Sequence, residues 1–218
     1  MTKKLLVTYA SPHGSTAEVA TFAGHLLNAY DVEIDVKHAD EVTDVSAYDA
    51  FILGSAVHAS MWLPSISRLM FRFEKELSQK PIYLFMMCII VLEEGGREKA
   101  LETFVWKEAL ERLNLSRDNI EVFAGRLDWS QTSGDERWMI STRYEGNELP
   151  GRNQADYRDW QAIAAWFHKI ANDLELPINL SEAPIAPDIK RTTKDETMTR
   201  EDVDNLTWAD NPGEVAPI

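Results

Sequence analysis

Two short stretches of the chain carry the residue types that could hold a ligand. The first reads Ser11-Pro12-His13-Gly14-Ser15-Thr16 and lies between an apolar run and an amphipathic one. Three hydroxyls and a glycine at a strand-to-helix junction can wrap an anion with backbone N–H groups, helped by the helix dipole. The loop contains no lysine. A P-loop would need Gly-x-x-x-x-Gly-Lys-Ser/Thr and a dinucleotide fingerprint would need three glycines, and neither is present. A hydroxyl-rich, lysine-free loop suits a phosphate monoester held by hydrogen bonds. The same residues would serve equally as a plain N-cap by Ser15 or Thr16, with His13 a solvated loop residue. The second stretch, residues 55–62, follows another apolar run and ends on Trp62.

The elements that must position these loops follow from hydrophobic periodicity. Leu5-Leu6-Val7-Thr8-Tyr9 is too brief for a helix and reads as a strand. Residues 15–30 place Val19, Phe22, Ala23, Leu26 and Leu27 at helical spacing. Val32-Glu33-Ile34-Asp35-Val36 alternates as a half-exposed edge strand does, and residues 48–54 are continuously apolar after Asp49, as in a central parallel strand. A helix is expected over 65–77, a strand over 82–87, a helix over 97–113 and a fifth strand over 120–124. A closing helix over 157–174 carries Trp160, Ile163, Trp166 and Ile170. Alternation at this rhythm predicts an α/β fold, a doubly wound five-stranded parallel sheet in the order 2-1-3-4-5. Ligands of such sheets bind outside the carboxyl ends of the strands, beside the switch between strands 1 and 3. Both loops fall there. A polar insertion, about 129–154, separates the fifth strand from the last helix.

Composition bounds the rest. The 218 residues suffice for one domain, expected over 1–176, with a proline-punctuated acidic tail over 177–218 that reads as extended or disordered, Trp208 being an anchor on the body or on a partner. The single cysteine, Cys88, excludes an internal disulfide and a multi-thiolate metal site. No apolar run approaches the roughly 20 residues of a membrane-spanning helix. Met1-Thr2-Lys3-Lys4 runs into the first strand without a leader-like segment, so the expected location is the cytoplasm, with peripheral attachment at a membrane as the alternative. A formal net charge of −14 argues against nucleic acid and anionic lipid as partners. It fits a plain soluble acidic protein or an acidic face that docks a basic redox partner.

Residues 7–20, from Val7-Thr8-Tyr9-Ala10 through the loop to Ala17-Glu18-Val19-Ala20, resemble the phosphate-binding signature of the flavodoxin family. Residues 48–56 are similar to that family's third strand and second flavin loop. Phe123-Ala124-Gly125-Arg126-Leu127-Asp128 and Asp156-Tyr157-Arg158-Asp159-Trp160, with Trp166 beyond, resemble the menaquinone-dependent protoporphyrinogen oxidases and their flavodoxin-domain relatives. The resemblance covers about residues 4–174. It implies a flavodoxin-like fold that holds FMN without a covalent bond. Ser11, His13, Gly14, Ser15 and Thr16 would surround the phosphate. Ser55, Ala56, Val57, His58, Ala59 and Ser60, with Met87, Cys88, Ile89 and Ile90, would border the isoalloxazine ring. His58 or Trp62 would supply the aromatic that covers the ring, although Trp62, just before Pro64, could instead pack the next helix. Cys88 would lie on the ring side, or be simply a buried small residue. Glu93 and Glu94 would sit at the flavin rim or stay solvated.

The resemblance also orders the functional readings. The first is an FMN-dependent oxidoreductase of the protoporphyrinogen-oxidase type, which takes hydride from a porphyrinogen-like substrate and passes electrons to a quinone-like acceptor. The second is an electron carrier between protein partners, which the acidity favours. The third is a binding module that has kept the fold without the cofactor. In the oxidases the insertion is basic and apolar, whereas here residues 141–154 are polar, with acids balancing the arginines. Arg137, Arg143, Arg152 and Arg158 could meet substrate carboxylates or be surface charge. A receiver domain would need acids where this chain has Tyr9-Ala10-Ser11 and Gly54-Ser55, which excludes it.

Overall fold

The computed structural model describes residues 2–58, 61–105, 107–128, 130, 132–143 and 154–178, with 108, 136, 139, 141–143, 154 and 155 described by backbone only. The strands are β1 (Lys3–Ala10), β2 (Val32–His38), β3 (Ala50–His58), β4 (Met61–Trp62), β5 (Ile82–Met87), β6 (Ile120–Phe123), β7 (Arg126–Asp128) and β8 (Gln154–Asp156). The α-helices are α1 (Ser15–Leu27), α2 (Pro64–Arg72), α3 (Glu74–Leu77), α4 (Gly96–Phe104), α5 (Lys107–Leu113), α6 (Gly134–Arg143) and α7 (Trp160–Asp173). The main sheet is parallel, in the order β2-β1-β3-β5-β6. This is the expected order, because the two-residue β4 only folds back antiparallel on the end of β3. The fold is flavodoxin-like.

Successive residues of a strand point to opposite faces. On β1, Leu5, Val7 and Tyr9 join the layer that holds α1 and α7, and Leu6 and Ala10 join the layer that holds α2 and α4. The α7 layer is built on aromatic rings. Trp166 stands edge-on to Phe85, Phe123 and Phe167, with centroids 5.1–6.2 Å apart, a geometry that adds to plain area burial. Asp159 caps α7 by accepting from the N–H groups of Gln161 and Ala162, both at 3.0 Å. The helix therefore starts at Trp160 and not at residue 157.

Three features depart from the periodicity. The helix expected over 65–77 breaks at Phe73, where φ −114° and ψ 22° leave helical geometry. The helix expected over 97–113 breaks after Phe104, with Val105 extended. The polar insertion contains α6, and its flanks pair as the separate two-stranded sheet β7–β8. Pro177 and Ile178 still belong to the body, since the Asp31 N–H donates to the Pro177 carbonyl at 2.8 Å and Ile178 bridges Tyr30. Residues 179–218, with Trp208 and most of the expected tail, lie outside the described residues.

Gly54 shows how tightly the sheet centre is packed. A Cβ there would meet the Phe85 ring at 2.2–2.8 Å, and that ring is held by Trp166, Phe167 and Phe123. Gly54→Ala is expected to destabilise the protein by about 1–3 kcal/mol, the usual cost of overpacking a core. Equilibrium urea unfolding would show a lower midpoint at unchanged slope; an unchanged midpoint would refute the packing account.

Candidate functional site

Register brings the site together. β1 pairs with β3 as Ala10↔Ser55, β3 with β5 as Ala56↔Met87, and β5 with β6 as Met87↔Phe123. The carboxyl ends of these strands therefore stand level, and the loops after them open side by side. Between these loops and the β7–β8 insertion lies a cavity of about 380 Å³, within the range of small-molecule sites. Of the expected site residues, His13, Ser15, Ala56, Val57, His58, Met87, Cys88, Ile89 and Ile90 line it.

The loop expected to hold phosphate has an unusual backbone. Gly14 takes a left-handed conformation, φ 84°, which a residue with a Cβ rarely adopts. It occupies the N-cap position of α1 and no side chain caps the helix. The plain capping role open to Ser15 and Thr16 is therefore not the one they play. The hydroxyls of Ser11 and Thr16 are wholly buried and have no hydrogen-bond partner among the described residues. Buried polar groups are almost always paired, so two such hydroxyls beside an uncapped helix start fit a bound acceptor such as phosphate. Ser11, Gly14 and Thr16 lie behind the cavity wall, not on it.

Two other expected residues have structural partners. Ser55 is fully buried; its hydroxyl accepts from the Leu63 N–H at 3.1 Å and donates to the Ala56 carbonyl at 2.9 Å. It ties the β3–β4 hairpin down. Trp62 is 2% exposed, donates from Nε1 to the Met86 sulfur at 3.1 Å, and belongs to the α2-side core. It does not line the cavity, because β3 runs past the sheet and β4 turns back, carrying Trp62 under it. Of the two aromatic candidates, only His58 faces the cavity. Ala59 and Ser60 lie outside the described residues. Glu93 does not reach the cavity and pairs with Lys99 at 2.7 Å.

The far wall was missed by motif reading. Phe104, Gly125, Arg126, Leu127, Asp128, Thr132 and Ile140 complete the cavity. The 125–128 segment was visible as a family mark, but a site role needed the β7–β8 pairing. Arg137 donates to the Thr132 hydroxyl and carbonyl at 3.3 and 3.0 Å and so supports this wall. Arg152 and the Arg143 side chain lie outside the described residues.

The stretch Asp156-Tyr157-Arg158-Asp159-Trp160 resolves into contacts. The Arg158 side chain is 4% exposed; it pairs with Glu18 at 2.6 Å and Asp156 at 2.5 Å and lies 4.6 Å from the Trp160 ring centroid. The Tyr157 N–H donates to the Gly125 carbonyl at 3.2 Å. Arg126 reaches the same Glu18 carboxylate at 3.1 Å. Arg158 is thus part of a buried ion cluster and not a surface charge. Burial opposes the charge on Arg158, yet the bonds to Asp156 and Glu18 more than offset it and hold its guanidinium above its ordinary value. The Arg158 hydrogen bond in turn pulls the Asp156 carboxyl below its ordinary value, against some desolvation.

Residues 6–150 match the family model described as Flavodoxin domain. The chain is 20% identical over 178 residues to protoporphyrinogen IX dehydrogenase [quinone] of Escherichia coli K12, a match that covers 80% of this chain and 98% of that one. Among solved structures it is similar to the rubredoxin oxygen:oxidoreductase of Desulfovibrio gigas, at 14% identity and TM-score 0.49, covering 79% of this chain and 36% of that larger one. It is also similar to flavodoxin 1 of Bacillus cereus, at 19% identity and TM-score 0.41, covering 77% and 98%.

A carboxyl whose folded pKa is depressed stabilises the fold above its ordinary value, and that contribution is lost as pH falls through the folded value. The ordinary value for Asp156 is 3.8. The stability difference between wild type and Asp156→Asn is therefore expected to be constant from neutral pH down to about 4 and to shrink below that. Urea unfolding at a series of pH values measures it, and a difference that grows on acidification would contradict the assignment.

Proposed function

Because this chain belongs to the flavodoxin-domain family and is an FMN-binding redox protein, we propose that it is an oxidoreductase of the protoporphyrinogen-oxidase type, which oxidises a porphyrinogen-like substrate and returns the electrons to a quinone-like acceptor. FMN, when bound, supplies the hydride and electron chemistry, and the protein's residues bind, orient and enclose. Ser11, His13, Gly14, Ser15 and Thr16 hold the phosphate, the buried hydroxyls of Ser11 and Thr16 acting as donors. Ala56, Val57, His58, Met87, Cys88, Ile89 and Ile90 would border the isoalloxazine ring, with His58 as the side chain that would cover it.

The observation that carries the enzyme reading is the far wall. Leu127, Ile140 and Phe104 face the flavin loops across the cavity, with Arg126, Asp128 and Thr132 as polar points among them. An enclosure that is mainly apolar with a few polar groups suits a large, mostly apolar ring system that carries a few charged substituents. The similarity to the E. coli quinone-dependent dehydrogenase supports the same class of substrate and acceptor. The net charge of −14 favours a second reading, an electron carrier that docks a basic reductase.

Two measurements test these readings. FMN-loaded protein incubated anaerobically with protoporphyrinogen IX and a soluble naphthoquinone is expected to form porphyrin, followed by fluorescence. Reduction by a flavoprotein reductase with no porphyrin formed would replace the enzyme reading with the carrier. For the phosphate loop, Thr16→Val is expected to weaken FMN binding by about 1–2 kcal/mol, or roughly five- to thirtyfold. It should leave the cofactor-free protein equally or more stable, because a buried hydroxyl without a partner is removed. Flavin titration and urea unfolding together check both signs; unchanged FMN affinity would remove Thr16 from the site.

A further inference from the structure

The ion cluster behind the phosphate loop joins parts of the chain that no backbone ladder joins. β7–β8 is a separate sheet, and among the described residues no strand pairing links it to the main sheet. Yet its first residues stand against the phosphate loop: a Cβ built on Gly125 would lie 3.6 Å from the Ser15 hydroxyl. Ser15, Gly125 and Arg126 line the same cavity. One helical turn beyond Ser15, the Glu18 carboxylate is 7% exposed and takes Arg126 on one oxygen and Arg158 on the other. Arg158 continues to Asp156, which stands opposite Arg126 in the β7–β8 register. The four side chains therefore form one chain of ion pairs, Arg126–Glu18–Arg158–Asp156, whose two ends are opposite residues of the β7–β8 ladder; it ties α1 to β7, β8 and the segment just before α7, with Glu18 as the one member on α1.

We propose that Glu18 and Arg126 are positioning residues of the cofactor site: their buried pair clamps the 125–128 strand against the first turn of α1 and so fixes the phosphate loop on its otherwise open side. The clamp rests on the assignment of residues 11–16 to the FMN phosphate. It explains why an acid is kept one turn inside a helix start that must receive an anion. Alone, that carboxylate would repel phosphate. Paired with two guanidinium groups it is neutralised locally, and the geometry it fixes outweighs its charge. A buried carboxylate held by two arginines is stiff as well as neutral, since each partner leaves a desolvated charge if the other moves.

The clamp can be separated from simple charge and from general stability. If Arg126 acted only as a counter-charge, Glu18→Gln would strengthen FMN binding by removing a nearby negative group. If the cluster only stabilised the fold, FMN and riboflavin affinities would fall together. The clamp makes a third claim: the loop that grips the phosphate is loosened, so FMN is weakened more than riboflavin. Full-length protein stripped of flavin is titrated with FMN and with riboflavin, read by quenching of flavin fluorescence, for wild type, Glu18→Gln, Arg126→Met and Arg126→Lys. Glu18→Gln and Arg126→Met are each expected to lower the FMN-to-riboflavin affinity ratio at least tenfold, and Arg126→Lys to recover most of it. Both leave the Arg158–Asp156 pair in place; should Glu18→Gln fail to fold, the two Arg126 variants decide on the same ratio. A ratio that is unchanged or raised overturns the clamp. A wild type that binds riboflavin as tightly as FMN overturns instead the assignment of the loop to phosphate.

Discussion

In a parallel sheet every strand delivers its carboxyl end to the same edge, and the hydrogen-bond register decides how far each runs past its neighbours. Everything in this molecule that resembles a binding site depends on that alignment. Ala10, Ser55, Met87 and Phe123 end or leave their ladders nearly level. The loops that follow therefore meet at one cavity although they lie far apart in sequence. A slip of one residue in any of these pairings would exchange the side chains that face the two cores and set the strand ends out of line. Gly54 and the Phe85 ring lying across it restrict such a slip between β3 and β5.

Phosphate bound at the loop after β1 would meet an unusual electrostatic setting. The chain carries a net charge of −14 and its phosphate-type loop has no lysine, so attraction has to come from groups within a few ångströms. Fixed dipoles serve at that range: uncapped N–H groups at the start of α1, reached through the left-handed Gly14, and the two enclosed hydroxyls of Ser11 and Thr16. Charges elsewhere on the surface are screened over about 8–10 Å at ordinary ionic strength. An acidic surface is thus compatible with an anion held at this loop.

Local sequence patterns made much of this legible. Alternation marked β2 as an edge, continuous apolar runs marked β3 and β5 as central, and the hydroxyl-glycine loop announced itself by composition. What stayed hidden depends on contacts between distant segments. Trp62 reads as an exposed loop aromatic until β3 is seen to overrun the sheet and fold back on itself. Arg158 reads as surface charge until Glu18, on the other side of the domain in sequence, is placed beside it. The β7–β8 pair has strands of three residues each with a helix between them, too short to leave a periodic trace. The breaks at Phe73 and Val105 lie inside apolar patterns that a continuous helix would satisfy equally well.

The edge of the sheet at which α7 finishes has a practical meaning. Pro177 and Ile178 lie along Tyr30 and Asp31, just before β2 begins, and Lys3 donates to the Leu174 carbonyl at the same end. The cavity mouth is at the opposite end of the sheet, a strand length of about 25 Å away at roughly 3.3 Å per residue. A surface linkage or electrode tether made through the side chain of Glu175, exposed at this end, would therefore hold the described domain by the edge of the sheet opposite the cavity.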